Sequence, residues 1–260
     1  WLKAANAIRT TDTFPKLYSE KIKYNKKENF YINGIAKGSG MIAPNMATML
    51  SFIVSNIPLE KNETKKKFNN IVEKTFNSIT VDSDTSTSDM VLLILIKNKN
   101  RKSLDTKKKK EFFDKLEGLM TNLAHLIVKD GEGASKFIKI SIYGAQNYKD
   151  AKSFGMSIAN SPLFKTAMAG SDSNWGRIIM ALGKTGVGIE NSKISIKFGK
   201  FIILKSGQIL VSKNVKKISN YLKGKEIEIS VKVGKGPASC SVWTCDLTKN
   251  YISINTDYRS

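Results

Sequence analysis

The sequence predicts an α+β fold in which layered mixed β-sheets are flanked by helices. Two segments, Glu63 to Ile79 and Lys107 to Val128, repeat apolar residues at helical spacing. A series of short apolar segments reads as strands, densest from Lys193 onward (KISIKFG, FIILKSG, EIEISVKVG, SCSVWTC, YISIN). Helices and strands follow one another without a regular βαβ rhythm, which favours mixed layers over a Rossmann sheet.

Each element has a local reason. WLKAANAIR at the start reads as a helix. TMLSFIVS reads as a strand that opens next to Thr48, and the apolar run Met90 to Ile96 reads as a buried strand. In the first helical segment Phe68, Ile71, Val72, Thr75, Phe76 and Ile79 recur at helical spacing, with lysines opposite. In the second, Phe112, Leu116, Leu119, Leu123 and Ile127 do the same. FIKISIY (Phe137 to Tyr143) is strand-like. Ser161-Pro162 leads a short apolar segment, and Asn174 opens a helix that Gly183 ends. YISIN alternates like a strand, which would fix Asn255 in a sheet.

The 260 residues hold 41% hydrophobic side chains and five prolines, enough for a core and against disorder. The net charge is +21, yet arginine occurs only at Arg9, Arg101, Arg177 and Arg259. Scattered lysine is a solvated surface, and without arginine for bidentate contacts it argues against a nucleic-acid partner. No apolar run is long enough to span a membrane. Cys240 and Cys245 read as buried reduced thiols of a cytoplasmic protein, and His125 as a half-buried helix residue. With one histidine and two cysteines, neither a zinc site nor a disulfide framework is expected. VDSDTSTSD, with Asp82, Asp84 and Asp89, reads as a loop satisfying its own amides. It lacks the glycine and terminal glutamate of a calcium loop, so no metal is expected. No G-x-S-x-G elbow occurs, and KGSG at Lys37 is not in P-loop order.

AKGSGMIAPNMATML (Ala36 to Leu50) carries one charge, Lys37, and one hydroxyl, Thr48. Two readings of Thr48 stand on residues alone. It is a loop threonine leading a core strand, or it is a nucleophile released as the first residue of a chain by cleavage before it. Its own α-amine would then serve as base.

IAKGSGMIAPNMATMLSFI resembles the cleavage-site segment of the ornithine acetyltransferase family. AIRTTDTFPK, SITVDSDTSTSD, DGEGASKFI, SPLFKTAMAGSDSNWGRI and the terminal YISINTDYRS resemble further family blocks in the same order, so the resemblance covers nearly the whole chain. The resemblance implies a self-processing architecture with an N-terminal threonine nucleophile, shared with certain aminopeptidases. It implies acetyl transfer from N-acetylornithine to glutamate in arginine biosynthesis, with acetyl-CoA used by some members and no cofactor. It implies cleavage between Ala47 and Thr48. Residues 1–47 would then end an α chain and 48–260 form the β chain, the two staying together as α2β2. Thr48 becomes the nucleophile, and Thr11, Lys37, Glu132, Asn255 and Ser260 become substrate contacts. The family's oxyanion pair, Thr-Gly, lies upstream of the TTDT block, and no residue before Ala7 matches it. With a start at Trp1, this leads us to expect a longer precursor. A related peptidase or amidohydrolase, in which water replaces glutamate, is the alternative activity.

Overall fold

The structure is a computed structural model that describes all residues except 26–27, 44–48, 86–87, 97–103, 191–192, 211–214 and 258–260. The chain divides into two compact units, Trp1–Asp130 and Gly131–Ser260.

The first unit begins with helix α1 (Leu2–Ala7) and carries a four-stranded sheet ordered β1-β2-β3-β4. Strands β1 (Lys16–Lys23), β2 (Asn29–Lys37) and β3 (Leu50–Ser55) pair antiparallel. The chain then passes through helix α2 (Lys61–Lys74) and a 3-10 turn at Phe76–Ser78 to strand β4 (Met90–Leu95), which lies parallel to β3. The α-helix thus stops short of Ile79: Thr75 departs from helical geometry, and its hydroxyl donates to the Ile71 carbonyl. Helix α3 (Thr106–Lys129), capped by Asp105 through the Lys108 N–H, covers β1 and β2. It buries Phe112, Leu116, Leu119, Leu123 and Ile127, the face its periodicity predicts. Gly34 of β2 makes this approach possible. A Cβ there would stand 2.7 Å from Leu123 Cδ1 and 2.8 Å from Leu119 Cδ2.

The second unit builds a six-stranded mixed sheet ordered β10-β5-β9-β6-β7-β8. Its strands are β5 (Phe137–Ala145), β6 (Ser195–Phe198), β7 (Phe201–Lys205), β8 (Gln208–Ile209), β9 (Glu226–Lys232) and β10 (Ala238–Cys245). Among the described residues of this sheet, only β5 and β9 pair parallel. Helix α4 (Tyr148–Ala159) packs on β5 and β10. Its Phe154 and Ile158 join Ile138, Ile140 and Ile142 in one apolar core. Helices α5 (Pro162–Ala169, capped by Ser161), α6 (Trp175–Gly183) and α7 (Val215–Leu222) add to it. The chain closes with α8 (Lys249–Asp257).

Mixed sheets flanked by helices are the α+β class predicted. Besides the early end of α2, two elements differ from expectation. Met90 to Ile96 is not a buried strand: β4 ends its sheet among the described residues, and Met90, Leu92 and Ile94 stand about 40% exposed on one face. YISIN is not a strand: Tyr251 to Asn255 lie inside α8, which buries no residue. Its alternating isoleucines suit a pleat, but Ile252 and Ile254 find no sheet and remain exposed. The first turn of α8 is instead fixed by Thr248, whose hydroxyl donates to the Gly133 carbonyl. Cys240 and Cys245 are buried and not joined in a disulfide, and His125 is half-buried on α3. Among the described residues no helix is long and apolar enough to cross a membrane.

Candidate active site

In the first unit the TTDT block and the KGSG turn are joined by a buried ion network. The Lys16 ammonium, fully buried, lies 2.5 Å from Asp12 Oδ1 and 2.5 Å from Asp130 Oδ2. Asp12 also accepts the N–H of Gly38 at 2.8 Å and of Thr10 at 3.2 Å. Asp130 accepts the Thr13 N–H at 3.0 Å and the Thr13 hydroxyl. Each carboxylate oxygen is thus occupied, as a buried charge requires. Burial pushes the Asp12 carboxyl up, but the hydrogen bonds from Lys16 and Gly38 and the Lys16 charge outweigh it and hold the group below the usual range.

This network fixes two of the predicted contacts. Thr11 Oγ1 sits 2.6 Å from Ser39 Oγ, so a hydroxyl pair spans the block and the turn. Lys37 is the last residue of β2, and sheet pairing holds its backbone. It is only 7% exposed, and its ammonium meets the Thr10 hydroxyl at 3.5 Å, the outer limit of a hydrogen bond. Among the described residues no carboxylate stands within ion-pair distance of it. A buried ammonium with so weak a partner is suited to an incoming anion.

Ala47 and Thr48 lie outside the described residues, but the residues on either side of that segment are held. Upstream, Asp82 accepts the N–H of Met41 at 2.6 Å and of Ile42 at 2.9 Å. The Ile42 carbonyl accepts the Val81 N–H at 2.7 Å and the Thr80 hydroxyl at 3.0 Å. Downstream, Asp89 Oδ1 accepts the Met49 N–H at 2.7 Å, and the Met49 carbonyl accepts the Met90 N–H at 3.0 Å. Burial pushes the Asp89 carboxyl up to about 6, against the Met49 hydrogen bond and the Lys37 charge, which pull it down. VDSDTSTSD therefore does more than satisfy its own amides. Among the described residues no three His, Cys, Asp or Glu side chains are grouped to hold a metal ion.

In the second unit Asn255 Nδ2 donates to Glu132 Oε2 at 3.1 Å and to the Tyr251 carbonyl at 3.0 Å. Gly133 brings them together. Its φ of +66° is left-handed, and a Cβ there would stand 2.3 Å from the Tyr251 nitrogen. The glycine beside Glu132 admits the backbone of α8. Ser260 lies outside the described residues.

Sequence reasoning singled out Thr11, Lys37, Glu132 and Asn255, and the structure places the first pair within the first unit and the second pair in contact within the second. It missed Asp12, Lys16 and Asp130, although Asp12 and Lys16 stand in the quoted TTDTFPK block. An i, i+4 Asp–Lys pair is too common on exposed helices and turns to signal a buried network. It also missed the reach of Asp82 and Asp89 to Met41, Ile42 and Met49, which no local pattern encodes.

The chain is 47% identical over 257 residues to the arginine biosynthesis bifunctional protein ArgJ of Ruegeria pomeroyi, covering 99% of this chain and 62% of that protein. It is 47% identical over 264 residues to the protein of the same name from Zymomonas mobilis, covering 100% of this chain and 64% of that protein. The chain thus spans less than two thirds of the length of these curated relatives. The crystal structure of ArgJ from Bacillus halodurans superposes with a TM-score of 0.76 at 34% identity, covering 81% of this chain and all of that one. A model of the ArgJ family matches residues 2–260, and the chain belongs to that family.

Proposed function

We propose that this chain carries the acetyl-transfer chemistry of a glutamate N-acetyltransferase in arginine biosynthesis, with Thr48 as nucleophile. The observation that carries the reading is Lys37: a buried ammonium with, among the described residues, a single long hydroxyl contact, at the end of the strand that leads to the Thr48 segment. Such a group is stabilised when an anion arrives, and the α-carboxylate of an acetylated amino acid is one. The Thr11–Ser39 hydroxyl pair beside that turn offers neutral donors for the amide. The Glu132–Asn255 pair offers a carboxylate for a substrate ammonium. The names of the relatives support the pathway.

In this reading the bond between Ala47 and Thr48 is cut, and residues 1–47 and 48–260 remain associated, as α2β2. The free amine of Thr48 then takes the proton of its own hydroxyl as Oγ attacks the acetyl carbon of N-acetylornithine. The amide C–N bond breaks, and ornithine leaves with the proton. The amine of glutamate attacks the acetyl-Thr48 ester, N-acetylglutamate departs, and the hydroxyl is restored. The cycle needs no cofactor, and acetyl-CoA would enter as a second acetyl donor to the same hydroxyl. The reaction belongs in the cytoplasm.

The test is the complete gene product incubated with N-acetylornithine and glutamate. N-acetylglutamate should form, and a polypeptide beginning at Thr48 should be found by mass. Release of free acetate in place of N-acetylglutamate would assign a hydrolase instead. One uncut chain with no product would overturn the reading.

A further inference from the structure

The acidic loop Asp82–Asp89 comes back twice to the same distant segment, once on each side of Thr48. Ile42 and Met49 bracket residues 43–48, and each is held through both of its backbone groups. The N–H of Ile42 goes to Asp82 and its carbonyl to Val81 and Thr80. The N–H of Met49 goes to Asp89 and its carbonyl to Met90. All the partners come from one short stretch, Thr80 to Met90. Met41 adds a further sign of constraint: its φ is +53°, left-handed for a non-glycine residue, and its N–H is held by the second oxygen of Asp82.

We infer that Asp82 and Asp89 are positioning residues that clamp the two ends of the scissile segment, Asp82 upstream and Asp89 downstream, for the self-cleavage on which the proposed function rests. Self-cleavage requires Thr48 Oγ to bond to the Ala47 carbonyl carbon as the C–N bond between them breaks. The hydroxyl proton passes to the Thr48 nitrogen, and an ester results. Water then splits the ester into the Ala47 carboxylate and the free Thr48 hydroxyl. An intramolecular attack of this kind depends on the conformations open to the short segment, and fixing both of its ends removes most of them. Asp82 and Asp89 touch neither reacting atom; they act through Met41, Ile42 and Met49.

The two anchors separate once the bond is cut. The upstream anchor then lies on a different chain from Thr48, while Met49 remains its covalent neighbour. Asp82 therefore serves cleavage above all, and Asp89 serves both cleavage and transfer.

The experiment follows cleavage of the complete gene product by denaturing gel and mass, well below the melting temperature, and transfer kinetics on the cleaved fraction. Asp82→Ala should slow cleavage by about tenfold or more, the scale of a lost charged-group hydrogen bond, and should slow transfer much less. Asp89→Ala should slow both. Asp89→Asn keeps one acceptor oxygen for Met49 and should restore cleavage. Asp82→Asn keeps one of the two acceptors it uses and should fall between Asp82→Ala and wild type. These Asn variants preserve shape and keep the test open if an alanine variant does not fold. Wild-type cleavage rates in both alanine variants, or equal effects of Asn and Ala at Asp89, would overturn the clamp. A wild-type protein that never cuts at Thr48, or a Thr48→Ala protein that still does, would overturn the functional reading itself and the clamp with it.

Discussion

Asn255 and Glu132, 123 positions apart in the chain, share a hydrogen bond of 3.1 Å between Nδ2 and Oε2. The bond exists because Gly133 lets the first turn of α8 approach and Thr248 pins that turn to the Gly133 carbonyl. It orients one carboxylate oxygen of Glu132; in the function proposed above, the other would meet the substrate ammonium.

Asn255→Ala should raise KM for N-acetylornithine with little change in stability, because Asn255 is exposed and α8 buries nothing. Glu132→Gln should act more strongly, since a hydrogen bond to a charged group is worth about 1.5 to 3 kcal/mol, roughly tenfold to a hundredfold in kcat/KM. Steady-state kinetics beside a thermal melt measure both. Unchanged kinetics in Glu132→Gln would remove this pair from the site.

Lys37→Met should also raise KM by roughly tenfold to a hundredfold while self-cleavage continues. The melting temperature should hold or rise. The substitution removes a buried charge whose contact at 3.5 Å returns little, and methionine fills a similar volume. A lower melting temperature with normal kinetics would make Lys37 a structural residue.

Lys16→Met should behave in the opposite way. It strands Asp12 and Asp130, two buried carboxylates held 2.5 Å from one ammonium, and breaking such a group costs about 3 to 5 kcal/mol. Denaturant unfolding of the wild type and the variant provides the comparison. A change below about 1 kcal/mol would show that the network is not essential to the unit.

Asp89 gives a dependence on pH. Its carboxyl is raised from the ordinary value of 3.8 to about 6, so folding favours the protonated form. Its stabilising contribution is fully present below pH 3.8 and is lost as pH rises through about 6. Asp89→Asn cannot titrate. Relative to wild type it should therefore gain stability between pH 4 and pH 7, as followed by thermal melts across that range. An unchanged difference between the two proteins over this window would refute the assignment.

Periodicity within a few turns was enough to read helix α3, the strands β6, β7, β9 and β10, and the mixed α+β class, because repeated side-chain facing is written into neighbouring residues. The single charge in a glycine-rich apolar stretch drew attention to Lys37, and the resemblance to the ornithine acetyltransferase family supplied its expected role. Periodicity was not enough for β4 or α8. An apolar run such as MVLLILI does not say whether a further strand lies beyond it, and the sheet order leaves it at an edge with Met90, Leu92 and Ile94 exposed. YISIN has the alternation of a strand, but no sheet receives it, and the anchor at Thr248 and Gly133 sets a helix in its place.

The sequence by itself, through its resemblance to a known family, named the candidate residues: a lone lysine, a lone threonine, a glutamate between glycines and a tail asparagine. Only the tertiary structure decided their surroundings. Asp12 and Asp130 meet on Lys16 from 4 and 114 positions away, and Asp89 reaches Met49 across 40. Side-chain patterns report a residue's own turn or strand. The hydrogen bonds and burial that leave Lys37 nearly unpartnered and tie down both sides of Thr48 are formed between segments far apart in the chain, so they arise only when the sheet closes and brings those segments together.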